Sequence, residues 1–152
     1  MLTNSTGTSK GDKVSHFTKL DKANIVSPEA FKLACKELGF DHIVNEGEVE
    51  SYDGSKVKAV AVAKKAASSR YGVGLVKNAT GKYDMLSDWW GVRCYDKPSR
   101  LAELGCMSDS DIQNAILRTT TKHTILMQYR RQGFAAQVRE DATHNIVVTL
   151  QR

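Results

Sequence analysis

KELGFDHIVNEGE, residues 36–48, and YRRQGFAAQVRED, residues 129–141, share one plan: a helix-forming run, a Gly-Phe pair, then the start of a strand. In each copy the glycine, Gly39 or Gly133, offers the left-handed stop that ends a helix. Phe40 or Phe134, two residues past the helix end, then folds back on its last turn. A strand follows each junction and turns into another. The pair therefore predicts an α-β-β unit used twice, or two independent helix–Gly–apolar junctions of the common kind. Either way the fold class is α+β. The expected form is a two-layer sandwich, a mainly antiparallel sheet with two helices on one face.

Upstream of the first copy, Ser27 caps a helix, Pro28 suits its first position and Glu29 complements its positive end. Phe31, Ala34, Cys35 and Leu38 recur at i, i+3, i+4 and i+7, giving one apolar stripe. Downstream, residues 41–51 and 56–65 read as strands joined by YDGS, with Asp53-Gly54 as the turn signal. A second hairpin has YGVGLVK and KYDMLSDWW flanking Asn78 to Gly81. On this reading the Asp-Trp-Trp stretch ends a strand.

Residues 93–108 contain Pro98 and Gly105 and suit a connection with one helical turn. A long helix then begins at Ser108, Asp109 or Ser110, following Ile112, Ile116, Thr119, His123, Leu126 and Arg130, with Ile125 and Tyr129 alongside. Its weakest part is Thr119 to Thr121, since β-branched side chains lose rotamer freedom in a helix. AAQVRED and NIVVTLQR make a last hairpin, and SHFTKL near the start a short strand. Residues 1–13 are polar without period and read as a flexible tail. Residues 14–152 read as a single α+β domain.

The 152 residues are 41% hydrophobic and 26% charged, as in a soluble globular protein, with no apolar run long enough for a membrane span. No export signal is legible, so the protein is expected not to be secreted but to occupy a reducing compartment, cytoplasmic or like the plastid stroma. Cys35, Cys94 and Cys106 fit that expectation: they are odd in number and lack paired spacing, which argues against both a disulfide framework and a zinc site. The net charge of +5 is a mild excess.

SHFTKL, the YDGS turn, YGVGLV…GKYDMLSDWWGV, KHT…RRQGF and the closing IVVTLQR resemble the hypothetical chloroplast open reading frame thirty-five family. That family is a domain of unknown function found in plastids, cyanobacteria and other bacteria. The resemblance runs from Ser15 to Arg152 and implies a shared fold without an established activity. Members commonly begin at Met-Ser-His-Phe, so residues 1–13 and Val14 depart from the pattern, as do 93–108 and Thr119 to Thr121.

The candidate chemistry centres on the tryptophans. Neighbours in a strand point to opposite faces, so Trp89 and Trp90 cannot share one interior. One indole is expected in the core and the other is left outside. Asp88, Trp89, Trp90, Arg93 and Tyr95 then form a partner-binding cluster of the residue types that dominate hot spots. The alternative is nucleic-acid binding through Lys64, Lys65, Arg70, Arg130 and Arg131, against which stands the lack of interleaved aromatics. A third reading is an enzyme with an unrecognised site.

No catalytic residue, metal ligand set or cofactor motif is legible. Ser15-His16 makes no triad, and His16 and His123 read as hydrogen-bonded structural residues. Gly72, Gly74 and Gly81 do not lie between a strand and a helix and make no phosphate loop. Glu46, Glu48 and Glu50 alternate along a strand and read as the charged, solvated side of a sheet edge. The leading expectation is a non-enzymatic interaction module or accessory factor that binds a protein partner or a larger assembly such as a virion, with no membrane association. Self-association through strand edges stays open.

Overall fold

The computed structural model describes residues 17–143 and 145–151. The tail at 1–13, Val14 and the Ser15-His16 pair lie outside the described residues. Among the described residues, seven strands and four helices follow in the order β1 (Thr18–Ile25), α1 (Pro28–Glu37), β2 (His42–Glu50), β3 (Lys56–Lys64), β4 (Gly72–Lys77), β5 (Tyr83–Ser87), α2 (Trp89–Tyr95), α3 (Ser99–Glu103), α4 (Asp109–Arg131), β6 (Ala135–Glu140) and β7 (Ile146–Gln151). The fold is α+β. Five strands make an antiparallel sheet in the order β1-β5-β4-β3-β2, while β6 and β7 pair only with each other.

Both Gly-Phe junctions close their helices in the same way. Gly39 and Gly133 take φ of 97° and 88°. The Phe40 amide reaches the Cys35 carbonyl at 3.0 Å and the Phe134 amide reaches that of Tyr129 at 3.1 Å, a Schellman closure in each case. Phe134 stands edge-on to Tyr129 at 5.9 Å, folded back on the last helical turn, whereas Phe40 is buried in the core. The units differ in what comes next: β2 and β3 join the large sheet, and β6 and β7 stay apart as a two-stranded hairpin.

One core lies between the sheet and the helices. Ala61, Ala63, Val73, Leu75 and Met85 from the strands meet Phe31 and Cys35 of α1, Trp89 and Val92 of α2, Leu101 of α3, and Ile112 and Ile116 of α4. Helix α1 lies against β3, and α4 lies against α1, α2 and β6. A second apolar cluster, Val49, Ala59, Val62 and Leu86 with Phe17, Val44, Val57 and Val76, fills the hollow of a curled sheet. The curl brings β2 within reach of β4 and β5, with which it does not pair. It depends on Gly74, where a Cβ would sit 2.4 Å from the Val49 methyl.

Three sequence expectations are corrected. Strand β5 stops at Ser87, so the two tryptophans open helix α2 and do not end a strand. The reason is Asp88, whose carboxylate caps the helix by accepting from the Gly91 amide at 3.0 Å. The stretch from 93 to 108 is more helical than expected: α2 runs on to Tyr95 and α3 follows from Ser99. Strand β1 continues past Leu20 to Ile25 through a register irregularity and Asn24 at φ 51°, a distortion that the sequence at 21–24 does not announce.

The threonine run does not break α4. Thr119 and Thr120 are buried, and the hydroxyls of Thr121 and Thr124 bond back to the carbonyls of Leu117 and Thr120, each at 2.9 Å.

Candidate functional site

On a helix consecutive side chains are about 100° apart, so the two indoles diverge without the pleat that the sequence suggested. Trp89 is 2% exposed and belongs to the core. Trp90 is half-buried. Around it, rings from three parts of the chain form a row. Tyr52, from the β2–β3 turn, lies 5.3 Å from Trp90 at an interplanar angle of 82°. Tyr95, at the end of α2, lies 5.4 Å from Trp90 at 75°. Tyr71, just before β4, stacks on Tyr95 at 6.0 Å.

Arg70 closes the row into a circuit. Its guanidinium lies 5.0 Å from the centre of the Tyr71 ring. It pairs with Glu50 at 2.8 Å and donates to the carbonyls of Ser51 and Tyr52 at 3.1 and 2.9 Å. The hydrogen bond to Glu50 raises the Arg70 pKa further, so its charge is permanent. Inside the circuit sits the buried Asp88 carboxylate, one oxygen on the Gly91 amide and the other accepting from the Tyr52 amide at 2.7 Å. Asp96 accepts from the Tyr71 amide at 2.9 Å. Burial, with Asp88, Tyr95 and Glu50 close by, raises the Tyr71 phenol pKa against the pull of Arg70. The rings are thus held by fixed backbone anchors. Tyr52 remains 53% exposed and Tyr95 63%.

Of the five aromatic-cluster residues expected from sequence, Trp90 and Tyr95 face this surface. Asp88 and Trp89 lie beneath it. Arg93 pairs with Asp109 of α4 at 2.6 Å, tying α2 to the long helix. Tyr52, Tyr71 and Glu50, the partner of Arg70, were missed as parts of this site, because they lie far from the tryptophans in sequence. The one local hint was the RYG triplet at 70–72, a cation beside an aromatic ahead of a strand.

The basic positions come from separate elements. Lys64 and Lys65 stand at the end of β3, Arg130 and Arg131 at the end of α4, and Arg70 is held by Glu50. Strand β2 is an edge of the large sheet; Glu46 and Glu48 are exposed there, but Glu46, at φ 53°, leaves the regular pleat. His123 meets Glu37 of α1 at 2.9 Å, next to Lys122 at the same distance. Among the described residues no three His, Cys, Asp or Glu side chains converge to hold a metal, and no helix is long and apolar enough to cross a membrane.

Comparison with known families, curated proteins and solved structures finds no match.

Proposed function

We propose that this protein is a non-enzymatic interaction module, an accessory factor that binds a protein partner through the aromatic row Tyr52–Trp90–Tyr95. The observation that carries the reading is the pair of exposed tyrosines flanking a half-buried tryptophan on an anchored frame. Rings already held in place lose little freedom on binding, and Trp and Tyr dominate interface hot spots. The nucleic-acid alternative draws less support, since Arg70 is engaged by a carboxylate and two carbonyls. Membership of the plastid open-reading-frame family belongs to the same proposal and rests on the sequence motifs.

The test is recovery of partners from cells that express the full chain at its natural level. Wild type is expected to retain a protein that Trp90→Ala loses while circular dichroism and melting of the variant stay native. Identical recovery by both would overturn the reading.

A further inference from the structure

We infer that the outer edge of β7 is an interaction surface for a second copy of this chain: two β7 strands pair antiparallel about a two-fold axis and merge the two hairpins into one four-stranded sheet. The inference goes beyond the aromatic row, no residue of which lies in the hairpin.

The backbone carries the first step. Among the described residues four strands have an edge without a neighbour, β1 and β2 in the large sheet and β6 and β7 in the hairpin. Such edges are ordinarily blunted by charge, bulges or irregular backbone. Strand β1 carries Lys19, Asp21 and Lys22 and a register irregularity. Strand β2 carries Glu46, Glu48 and Glu50, with Glu46 at φ 53°. Strand β6 carries Arg139 and Glu140. Strand β7, IVVTLQ, has no charge, no proline, no glycine and no break in register. It is the one unguarded template for another strand among these four.

Packing carries the second. Pairing sets Ala136 across from Leu150, Val138 from Val148 and Glu140 from Ile146, so these side chains share a face. Ala136 is buried and Glu140 meets Arg118 of α4 at 3.4 Å, so that face is turned to the helix. Helix α4 seats on β6. On β7, Ile146 and Val148 stay half-buried and Leu150 is exposed. Two strands alone give such a face too little cover, whereas three or more sustain it.

Register follows from the faces. Residues directly opposite in a pair project to the same side. Both α4 helices lie on one side of the joined sheet when even-numbered positions of β7 meet even-numbered ones. Centring the two-fold axis on Val148 sets Ile146 against Leu150 of the second copy and so matches all three apolar positions. Charge favours the same orientation. Arg130 shares a hollow with Thr149 and Gln151 at one end of the hairpin, and Asp141 opens the turn at the other. Antiparallel pairing lays the basic end of each copy alongside the acidic end of the other, about 10 Å away across two strand spacings, where charge orients an encounter. Parallel pairing would align like ends. The edges left over are those of β6, which carry Arg139 and Glu140, so the assembly closes at two copies. One six-residue strand and its flanks make a small interface, below the roughly 1,200 Å² of stable complexes. The dimer is therefore weak and sets in with concentration.

The experiment sediments the full chain from about 1 to about 500 μM, a range that brackets weak association. The mass is expected to move from one copy to two, and the β7 amides to gain hydrogen-exchange protection over the same range. Cys94→Ser then removes the exposed thiol. In that background Val148→Cys is expected to form an intermolecular disulfide under mild oxidation, since opposite residues of an antiparallel pair have Cα atoms about 4.5–5.5 Å apart. Gln137→Cys, exposed on β6 across from Thr149, is expected to stay unlinked. A chain still monomeric at about 500 μM would leave the edge to a strand of some other protein and overturn the inference. So would a mass that grows beyond two copies, or a dimer in which position 148 links no faster than position 137. Trp90→Ala is expected to dimerise as wild type does, so this inference and the aromatic-row reading fail separately.

Discussion

The two oxygens of Asp88 serve different elements: one caps α2 at the Gly91 amide, and the other holds the β2–β3 turn by the Tyr52 amide. The bonds measure 3.0 and 2.7 Å, and the side chain is fully buried. Asp88→Ala would leave two amides without that acceptor, and a loss of about 1–3 kcal/mol is expected in urea denaturation. Asp88→Asn keeps one oxygen and should lose less. Gly91 is constrained from the other side. A Cβ there would enter the Tyr71 ring, 2.4 Å from its nearest carbon, so Gly91→Ala must displace the ring that stacks on Tyr95. The expected cost is about 1–3 kcal/mol, with a changed near-ultraviolet signal from the displaced tyrosines. The cysteines separate as sharply. Cys94 is exposed, while Cys35 and Cys106 are buried and burial raises the pKa of both thiols. A thiolate reagent at neutral pH is expected to add once to the folded protein and three times in denaturant. Two adducts on the native chain would contradict the packing around α1 and α3.

At the scale of elements, α1 and α4 are clasped where α1 ends: Glu37 receives Lys122 and His123, each at 2.9 Å. Burial alone would raise the Glu37 pKa, but the hydrogen bonds and charges of Lys122 and His123 outweigh it and hold the carboxyl below its ordinary range. A folded-state pKa lowered in this way adds stability above the unfolded value, near 4.3 for glutamate, and loses it as the pH falls through the lower folded value. The stability gap between wild type and Glu37→Gln should therefore close progressively as the pH falls below about 4.3. Urea midpoints across that range measure it. A gap that widens on acidification would reverse the sign. The Glu37 side chain is 42% exposed, so added salt should shrink the gap as well. Elements whose ends are set locally were legible in the sequence. Ser27, Gly39, Ser108 and Gly133 each mark a boundary through a hydrogen bond or a left-handed φ within three residues. Helix α2 was not, because a Trp-Trp pair favours strands by propensity and the deciding cap, Asp88, sits where the preceding hairpin had implied strand.

At the scale of the molecule, pairings between distant segments escaped the sequence. Nothing local joins β1 to β5, or brings Tyr52 and Tyr71 to Trp90; those contacts exist because the sheet curls and Asp88 bridges 36 residues of chain. The helix–Gly–Phe–hairpin resemblance was legible as local structure, yet it left open which sheet each hairpin joins. The first hairpin gained a sheet, since Ala61 and Ala63 of β3 are buried against the helices and Val62 in the hollow of the sheet. The second presents Val138, Ile146, Val147 and Val148 only half-buried, with Leu150 exposed and Ala136 as its one buried apolar residue. Past Thr120 no further residue of α4 is buried either. An isolated two-stranded hairpin is marginal in water, so this end of the molecule should open well before the sheet does. Hydrogen exchange on the dilute protein is expected to show β6 and β7 less protected than β3 and β4 by roughly 2 kcal/mol or more, with α4 graded from slow exchange near Ile116 to fast near Tyr129. If β6 and β7 were as protected as β4, and that protection fell on further dilution, a second copy would be covering the hairpin edge. Protection unchanged by dilution would instead mean that the hairpin is stabilised within one chain by contacts beyond its pairing and its seat on α4.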